Sequence, residues 1–242
     1  MEYKGYKINL LDTPGYTDFV GEVISALRVA DSAAILVDSV AGAEVGTEIA
    51  INYCDTFNLP FIVIINKMNR DNANFRKAMD SIKEITDKRL LPIQIPWGEK
   101  AGFKGVIDLL SMKAYAGAGD KAQEIPAEFA DEVETGRMEL IEAAAEGEDA
   151  LLEKYLEGEE LTAEEISRGL KKVILTGSYI PVFVAAGSAE IGLAPLLDAM
   201  ISLLPSPSEA KTTVAQGKDG DEVLRPANSD PLAAYVWKST AD

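Results

Sequence analysis

Three short motifs in this chain carry residue types that could hold a charged, ring-bearing ligand. The first is Asp12-Thr13-Pro14-Gly15. An acid at a strand end can hold magnesium, usually through water, and a nearby glycine lets a backbone N–H approach a phosphate unobstructed. The same four residues also make an ordinary turn. The second is Asn66-Lys67-Met68-Asn69. An amide there can face a purine while the lysine stem lies over the ring and its ammonium stays in water; a polar strand-to-helix loop needs the same residues. The third, Gly187-Ser188-Ala189, is a tight small-residue turn that could admit a base edge and says little alone.

Such residues act together only if strands deliver them to one edge, where open α/β sheets bind ligands. Tyr6 to Leu11 reads as a strand ending at Asp12, followed by an amphipathic helix from Phe19 to Ala30. Ala33 to Val37 suits a buried strand ending at Asp38, and helical spacing resumes from Glu44 to Phe57. Phe61 to Ile65 (FIVII) is wholly apolar, the mark of a parallel strand covered on both faces. Asp71 is the expected N-cap of a helix reaching about Asp87. This rhythm predicts a doubly wound parallel sheet over residues 1–90. Leu91 to Pro96 and Gly105 to Leu109 read as strands of another unit. Ala127 to Gly177 is helical and acidic, with a capping box from Thr162 to Glu165. Residues 91–178 therefore read as an α+β insertion. The core resumes over 179–204 with the strand Pro181 to Ala186 and the helix Ile191 to Leu204. Residues 205–230 read as a linker, and 231–242 as the start of a β-barrel domain.

Composition narrows the chemistry. The 242 residues contain no histidine, which excludes imidazole bases, His-containing zinc sites and Ser-His-Asp triads. One cysteine, Cys54, excludes an internal disulfide and four-thiolate metal sites. Lys plus Arg number 23 against 40 Asp plus Glu, a net charge of −17. So acidic a body is a poor DNA-binding surface and favours basic partners or cations. The absence of a long apolar run or a signal-like N-terminus gives the expectation of a cytoplasmic protein with no membrane segment.

Strand-DTPG, strand-NKMN and strand-GSA, in that order, match the later guanine-nucleotide boxes of translational GTPases. With PIQIPWGEKAGFKGVIDLLSMKAY and EKYLEGEELTAEEI in the insertion, the whole chain resembles the elongation factor G family, and particularly its divergent elongation-factor-G-like proteins. The resemblance implies an incomplete GTPase domain, GTP or GDP and magnesium as cofactors of the intact protein, and translation elongation as its work. The implied partners are the ribosome and its stalk protein. It assigns Asp12 to water-mediated magnesium and Gly15 to γ-phosphate sensing. Asn66, Lys67 and Asn69 fall in the guanine box, and Ser188 and Ala189 in the last base-contacting loop. Glu142, Glu146 and Asp149, spaced i, i+4 and i+7, match a helix face that docks the stalk.

The departures from the family are as informative. No G-x-x-x-x-G-K-[ST] loop is present, so the N–H cradle and lysine for a triphosphate are missing. The chain reads as an interior piece beginning after the phosphate loop and first switch, expected to hold nucleotide weakly and not to turn it over. Tyr16 stands where the family keeps a catalytic histidine, and a phenol is a poor base near neutral pH. Asn69 replaces the aspartate that accepts two hydrogen bonds from guanine, which weakens guanine preference. A sheet lacking the strand between Asp12 and Asp38 is expected to leave edge groups unpaired and to promote self-association. Two other readings compete. One is an independently folding, nucleotide-incompetent stalk-binding module. The other is an α/β phosphatase or receiver holding magnesium with Asp12 and Asp38, which leaves NKMN, GSA and the insertion unexplained.

Overall fold

A computed structural model describes residues 1–239 except 211, 219 and 228. Strands β1 (Glu2–Tyr3) and β2 (Tyr6–Lys7) form a short hairpin. Then come α1 (Val20–Leu27), β3 (Ala33–Asp38), α2 (Val45–Phe57), β4 (Phe61–Asn66), α3 (Phe75–Lys83) and β5 (Arg89–Pro92). A second group follows: β6 (Gln94–Trp97), β7 (Gly105–Asp108), β8 (Lys113–Ala116), β9 (Ala122–Gln123), α4 (Ala130–Ala145), α5 (Asp149–Leu156) and α6 (Ala163–Leu175). The chain returns through β10 (Tyr179–Val184) and α7 (Leu193–Leu203) to a last hairpin, β11 (Thr213–Gln216) and β12 (Asp221–Leu224).

The main sheet is parallel, in the order β3-β4-β10-β5, and the second is antiparallel, β6-β7-β8-β9. Alternation along β4 explains why all five residues of FIVII are buried. Phe61, Val63 and Ile65 face Ile51 and Cys54 of α2 and Met79 and Ile82 of α3. Ile62 and Ile64 join the opposite core with Phe183, Leu196 of α7, Leu140 and Ala144 of α4, and Ile166 and Leu170 of α6. Each large aliphatic or aromatic side chain buried in these layers contributes roughly 1.5–3 kcal/mol. The helices of the insertion thus share one core with the parallel sheet, which disfavours the reading of the insertion as a separately folding module. The expected doubly wound α/β character is present, with the insertion packed onto the parallel sheet.

Several sequence expectations need correction. Ile8 to Pro14 forms no strand, so Asp12 does not end one; Leu10 and Leu11 are exposed and no neighbouring strand offers them a ladder among the described residues. The outer edge of β3 is correspondingly bare. Leu36 stays 62% exposed although its register partner Ile64 is buried. The cap of α3 is Asn74, whose Oδ1 accepts the Lys77 N–H at 2.8 Å, and not Asp71; the helix ends at Lys83. The 90/91 boundary falls inside β5, which pairs with β10 of the main sheet; the chain changes sheet at Ile93. The segment read as a linker contains the β11–β12 hairpin, and Pro231 to Ser239 has no strand. The rest of the expected barrel start, 240–242, lies outside the described residues.

Glu142, Glu146 and Asp149 do not share one helix: α4 ends at Ala145 and Asp149 opens α5. The break lies at a close crossing of α4 with α6. A Cβ on Gly147 would sit 2.3 Å from the Gly169 carbonyl oxygen, and one on Gly169 would sit 2.1 Å from that of Ala144. Alanine normally gains up to about 1 kcal/mol over glycine inside a helix. Here Gly169→Ala should instead cost about 1–3 kcal/mol through overpacking. Gly21→Ala, in open space on α1, should be neutral or stabilising. Urea unfolding of both variants checks the contrast.

Candidate functional site

Asp38 and Asn66 are register partners at the carboxyl ends of β3 and β4. The Asn66 Oδ1 accepts two backbone N–H groups, from Lys67 at 2.7 Å and from Gly187 at 2.9 Å. The second motif is thereby tied to the third across 121 residues of sequence. Lys67 adopts a left-handed conformation with φ of 64°, which turns its carbonyl toward the Ser39 hydroxyl, 3.0 Å away. Ser39 N–H in turn donates to the Asn66 carbonyl, and Ser39 accepts from Asn74 N–H, both at 3.0 Å. Met68 is fully buried, donating its N–H to Ala185 at 3.2 Å. Asn69 and Arg70 are exposed.

The Lys67 ammonium contacts Asp38 Oδ2 at 2.7 Å, and Arg70 lies 3.6 Å from the same oxygen. Asp38 Oδ1 accepts the Val40 N–H at 2.9 Å. Burial pushes the Asp38 carboxyl up, but the Lys67 ammonium and the Val40 and Ala41 N–H groups outweigh it and hold it below its ordinary value. Asp38 is thus a clamp on Lys67, with both carboxylate oxygens engaged. The Gly187–Ala189 turn is pinned at its base by reciprocal bonds between Ala186 and Ile191, leaving Ser188 exposed at its tip.

Asp12, Gly15 and Tyr16 are placed differently. No hydrogen bond or ion pair joins them to the Asn66 group among the described residues. Asp12 lines a shallow cavity of about 190 Å³ with Leu11, Thr13, Glu22 and Trp237, rimmed by a 2.7 Å Lys238–Glu22 pair. The Gly15 carbonyl lies against the start of α2, 3.4 Å from where a Cβ on Gly46 would sit. Tyr16 is 79% exposed. Among the described residues, no three His, Cys, Asp or Glu side chains cluster as a metal site.

The three acids of the insertion also part company. Glu142 and Asp149 are exposed. Glu146 instead caps the edge of the main sheet: both its oxygens meet the Arg89 guanidinium, and Oε1 accepts the Tyr179 hydroxyl at 3.0 Å. That guanidinium lies over the Tyr179 ring, 4.0 Å from its centre. Arg89 holds the Glu146 carboxyl below its usual range, and burial with Glu146 pushes Tyr179 up to about 12. Glu146 thus ties the end of α4 to the edge of the main sheet.

The residues present fit the base end of a nucleotide. The Asn66 oxygen is spent on the backbone, leaving its amide NH₂ for a ring acceptor. The Lys67 side chain is 44% exposed, and the Gly187–Ala189 turn is free of bulk. The phosphate end is only partly present: Asp12 and Gly15 are there, but on a segment with no ladder, and no N–H cradle accompanies them among the described residues. The clamp roles of Ser39 and Arg70 left no signal in the sequence. Asp38 is legible as a strand-end acid.

The clamp makes a pH-dependent prediction. The Asp38 carboxyl is lowered from 3.8, so its contribution is present above that value and lost as pH falls through the lower folded one. Because Lys67 is partly exposed, Asp38→Asn should cost no more than about 1 kcal/mol near neutral pH. The difference from the parent chain should shrink as pH falls below 3.8 and through the lower folded value, as read by urea unfolding across pH.

Comparison with known proteins places this geometry. The chain is 40% identical to elongation factor G of Thermotoga petrophila and of Thermotoga maritima over 247 aligned residues, covering 99% of this chain and 36% of each relative. It is 37% identical to an elongation factor G-like protein of Thermotoga maritima, covering all of this chain and 35% of that one. A crystal structure of a Thermus thermophilus protein superposes with a TM-score of 0.80 at 33% identity, over 92% of this chain and 35% of the other. The chain therefore spans about a third of the length of these relatives. The family model of the elongation factor Tu GTP-binding domain matches residues 1–206, most of the chain. The chain belongs to the elongation factor Tu GTP-binding-domain family and is similar, over its whole length, to elongation factor G.

Proposed function

We propose that this chain contributes the base-recognition half of the nucleotide site in a ribosome-dependent translational GTPase resembling elongation factor G. The observation that supports it most is the Asn66 carboxamide, which joins the strand-end box to the Gly187 turn by two hydrogen bonds. In this reading the Asn66 NH₂ donates to the purine, the Lys67 stem covers its ring, and Ser188 with Ala189 contacts its edge. Asn69 accepts with one oxygen and presents N–H groups toward guanine's own donors, a poorer match than a carboxylate. Asp12 would hold magnesium through water, and Gly15 would offer its N–H to the terminal phosphate. Magnesium, when bound, supplies neutralisation of phosphate charge. Tyr16 would hydrogen-bond an attacking water but would not take its proton well.

The base end alone gives modest affinity. GDP with magnesium should bind this chain with a dissociation constant of roughly 10 μM to 1 mM, with ADP a weaker competitor. A fluorescent GDP analogue, displaced by unlabelled GDP and ADP, provides the measurement. Asn66→Ala should abolish binding, and Asn69→Asp should tighten GDP about ten- to a hundredfold, the value of a restored paired contact of about 1.5–3 kcal/mol. Equal competition by ADP would overturn the reading.

The partners in this proposal are the ribosome and its stalk protein, with the exposed Glu142 and Asp149 free of the ion pair that holds Glu146 to Arg89. Among the described residues, no helix is long and apolar enough to cross a membrane. Glu142→Lys should weaken a complex with the stalk protein's C-terminal domain several-fold at low salt and less at high salt. Glu146→Lys should lower the melting temperature instead, since it breaks the contact with Arg89. Calorimetric titration and thermal melts separate the two effects.

A further inference from the structure

The backbone leaves one place where the parallel sheet should be short of a hydrogen bond, and a side chain fills it. Beyond the β5–β10 ladder, the Ile93 N–H still donates to Val182 at 2.9 Å. A continuing parallel strand would next offer the Ile93 carbonyl to the Val184 N–H. Here that carbonyl has turned into the second sheet and accepts from Leu109 at 2.9 Å. The Val184 N–H, fully buried, is left to the Gln94 side chain, whose Oε1 accepts it at 3.3 Å.

The orientation of that amide is forced. An N–H can only donate, so Oε1 must face Val184 and Nε2 must face the other way. Nε2 meets Asp108 Oδ2 at 3.2 Å, and Asp108 Oδ1 accepts the Ser111 N–H at 2.7 Å. Gln94 is 0% and Asp108 4% exposed, and the two are register partners on β6 and β7. The second sheet also meets the chain just after the turn at two further points. Ala118 bridges to Ile191, and a Cβ on Gly192 would lie 2.6 Å from the Val184 carbonyl and 3.1 Å from a Val106 methyl.

We infer that Gln94, held by Asp108, is a positioning residue for the Gly187–Ala189 turn, so that the second sheet sets where the base-contacting turn stands. It acts from behind, through Val184 at the end of β10, three residues before Gly187. An orphaned Val184 N–H would loosen the strand end from which the turn departs. The link to nucleotide recognition rests on the function proposed above; the link to the turn's position does not.

The test uses the whole chain and two readouts, amide hydrogen exchange and GDP affinity. Gln94→Leu should speed exchange at 184–191 at least tenfold while leaving Phe61–Ile65 of β4 within about threefold, and should weaken GDP by a similar factor to the loop change. The decisive variant exchanges the two groups: Gln94→Glu combined with Asp108→Asn keeps an acceptor for Val184 and a donor between the pair. It should return loop exchange and GDP affinity to within about threefold of the parent chain, whereas Gln94→Glu alone, setting two carboxylates face to face, should not. Loop exchange unchanged in Gln94→Leu, an equal rise across β4, or an exchanged pair that stays loose or unfolded would each overturn the proposal. A parent chain that binds no GDP at millimolar concentration, yet whose loop responds as described, sinks the proposed function and leaves the positioning role standing.

Discussion

The Asn66 carboxamide oxygen accepts N–H groups from its own successor and from Gly187, and the functional end of the sheet depends on that double acceptance. Neither N–H has a ladder partner, because both strands have ended. One polar side chain therefore does at the strand ends what backbone carbonyls do within the sheet. Its position is guaranteed by β4, whose five apolar residues are all buried between apolar layers on both faces. Packing energy in the middle of the molecule is in this way converted into positional accuracy at its edge. The left-handed Lys67 and its ion pair with Asp38 follow from the same sharp exit.

The two ends of the site differ in how firmly they are held. The base end is fixed by neutral hydrogen bonds in a half-buried setting, with one ion pair as reinforcement. The phosphate end sits on a segment whose apolar residues, Leu10 and Leu11, find no sheet to pack against. An identical carboxylate or glycine N–H is worth much less when the backbone carrying it must be ordered on binding. That difference, and not the identity of Asp12 or Gly15, separates the two halves.

Legibility in the sequence tracked how local the determining interaction was. FIVII and the capping box of Thr162 with Glu165 follow from residues within one turn or one strand, and both stand where the sequence put them. Asn74 displaced Asp71 as a cap because Ala73 is fully buried and its N–H closes a turn on Arg70, carrying the chain three residues further before the helix opens. The supposed strand before Asp12 has the right alternation but lacks a neighbour, and alternation cannot report a neighbour. Glu146 shows the same limit in reverse. Its helical spacing from Glu142 was correct, yet Arg89, 57 residues earlier, decides what it does. The order of NKMN and GSA along the chain suggested a shared site, while the bond that joins them could be seen only in the fold.

The crossing of α4 over α6 has a mechanical side. Where the backbone of Ala144 and Gly147 meets that of Gly169, no side chain stands between the two helices. Rotamer changes are the usual means by which packed elements slide past one another and absorb a push. A joint made of main chain on main chain has none to offer, so it is stiff. Because α6 also rests on α7, and α4 along β5, this joint links the outer surface of α4 to the parallel sheet through contiguous packing. The insertion is thereby built into the same packed body as the sheet that carries Asn66.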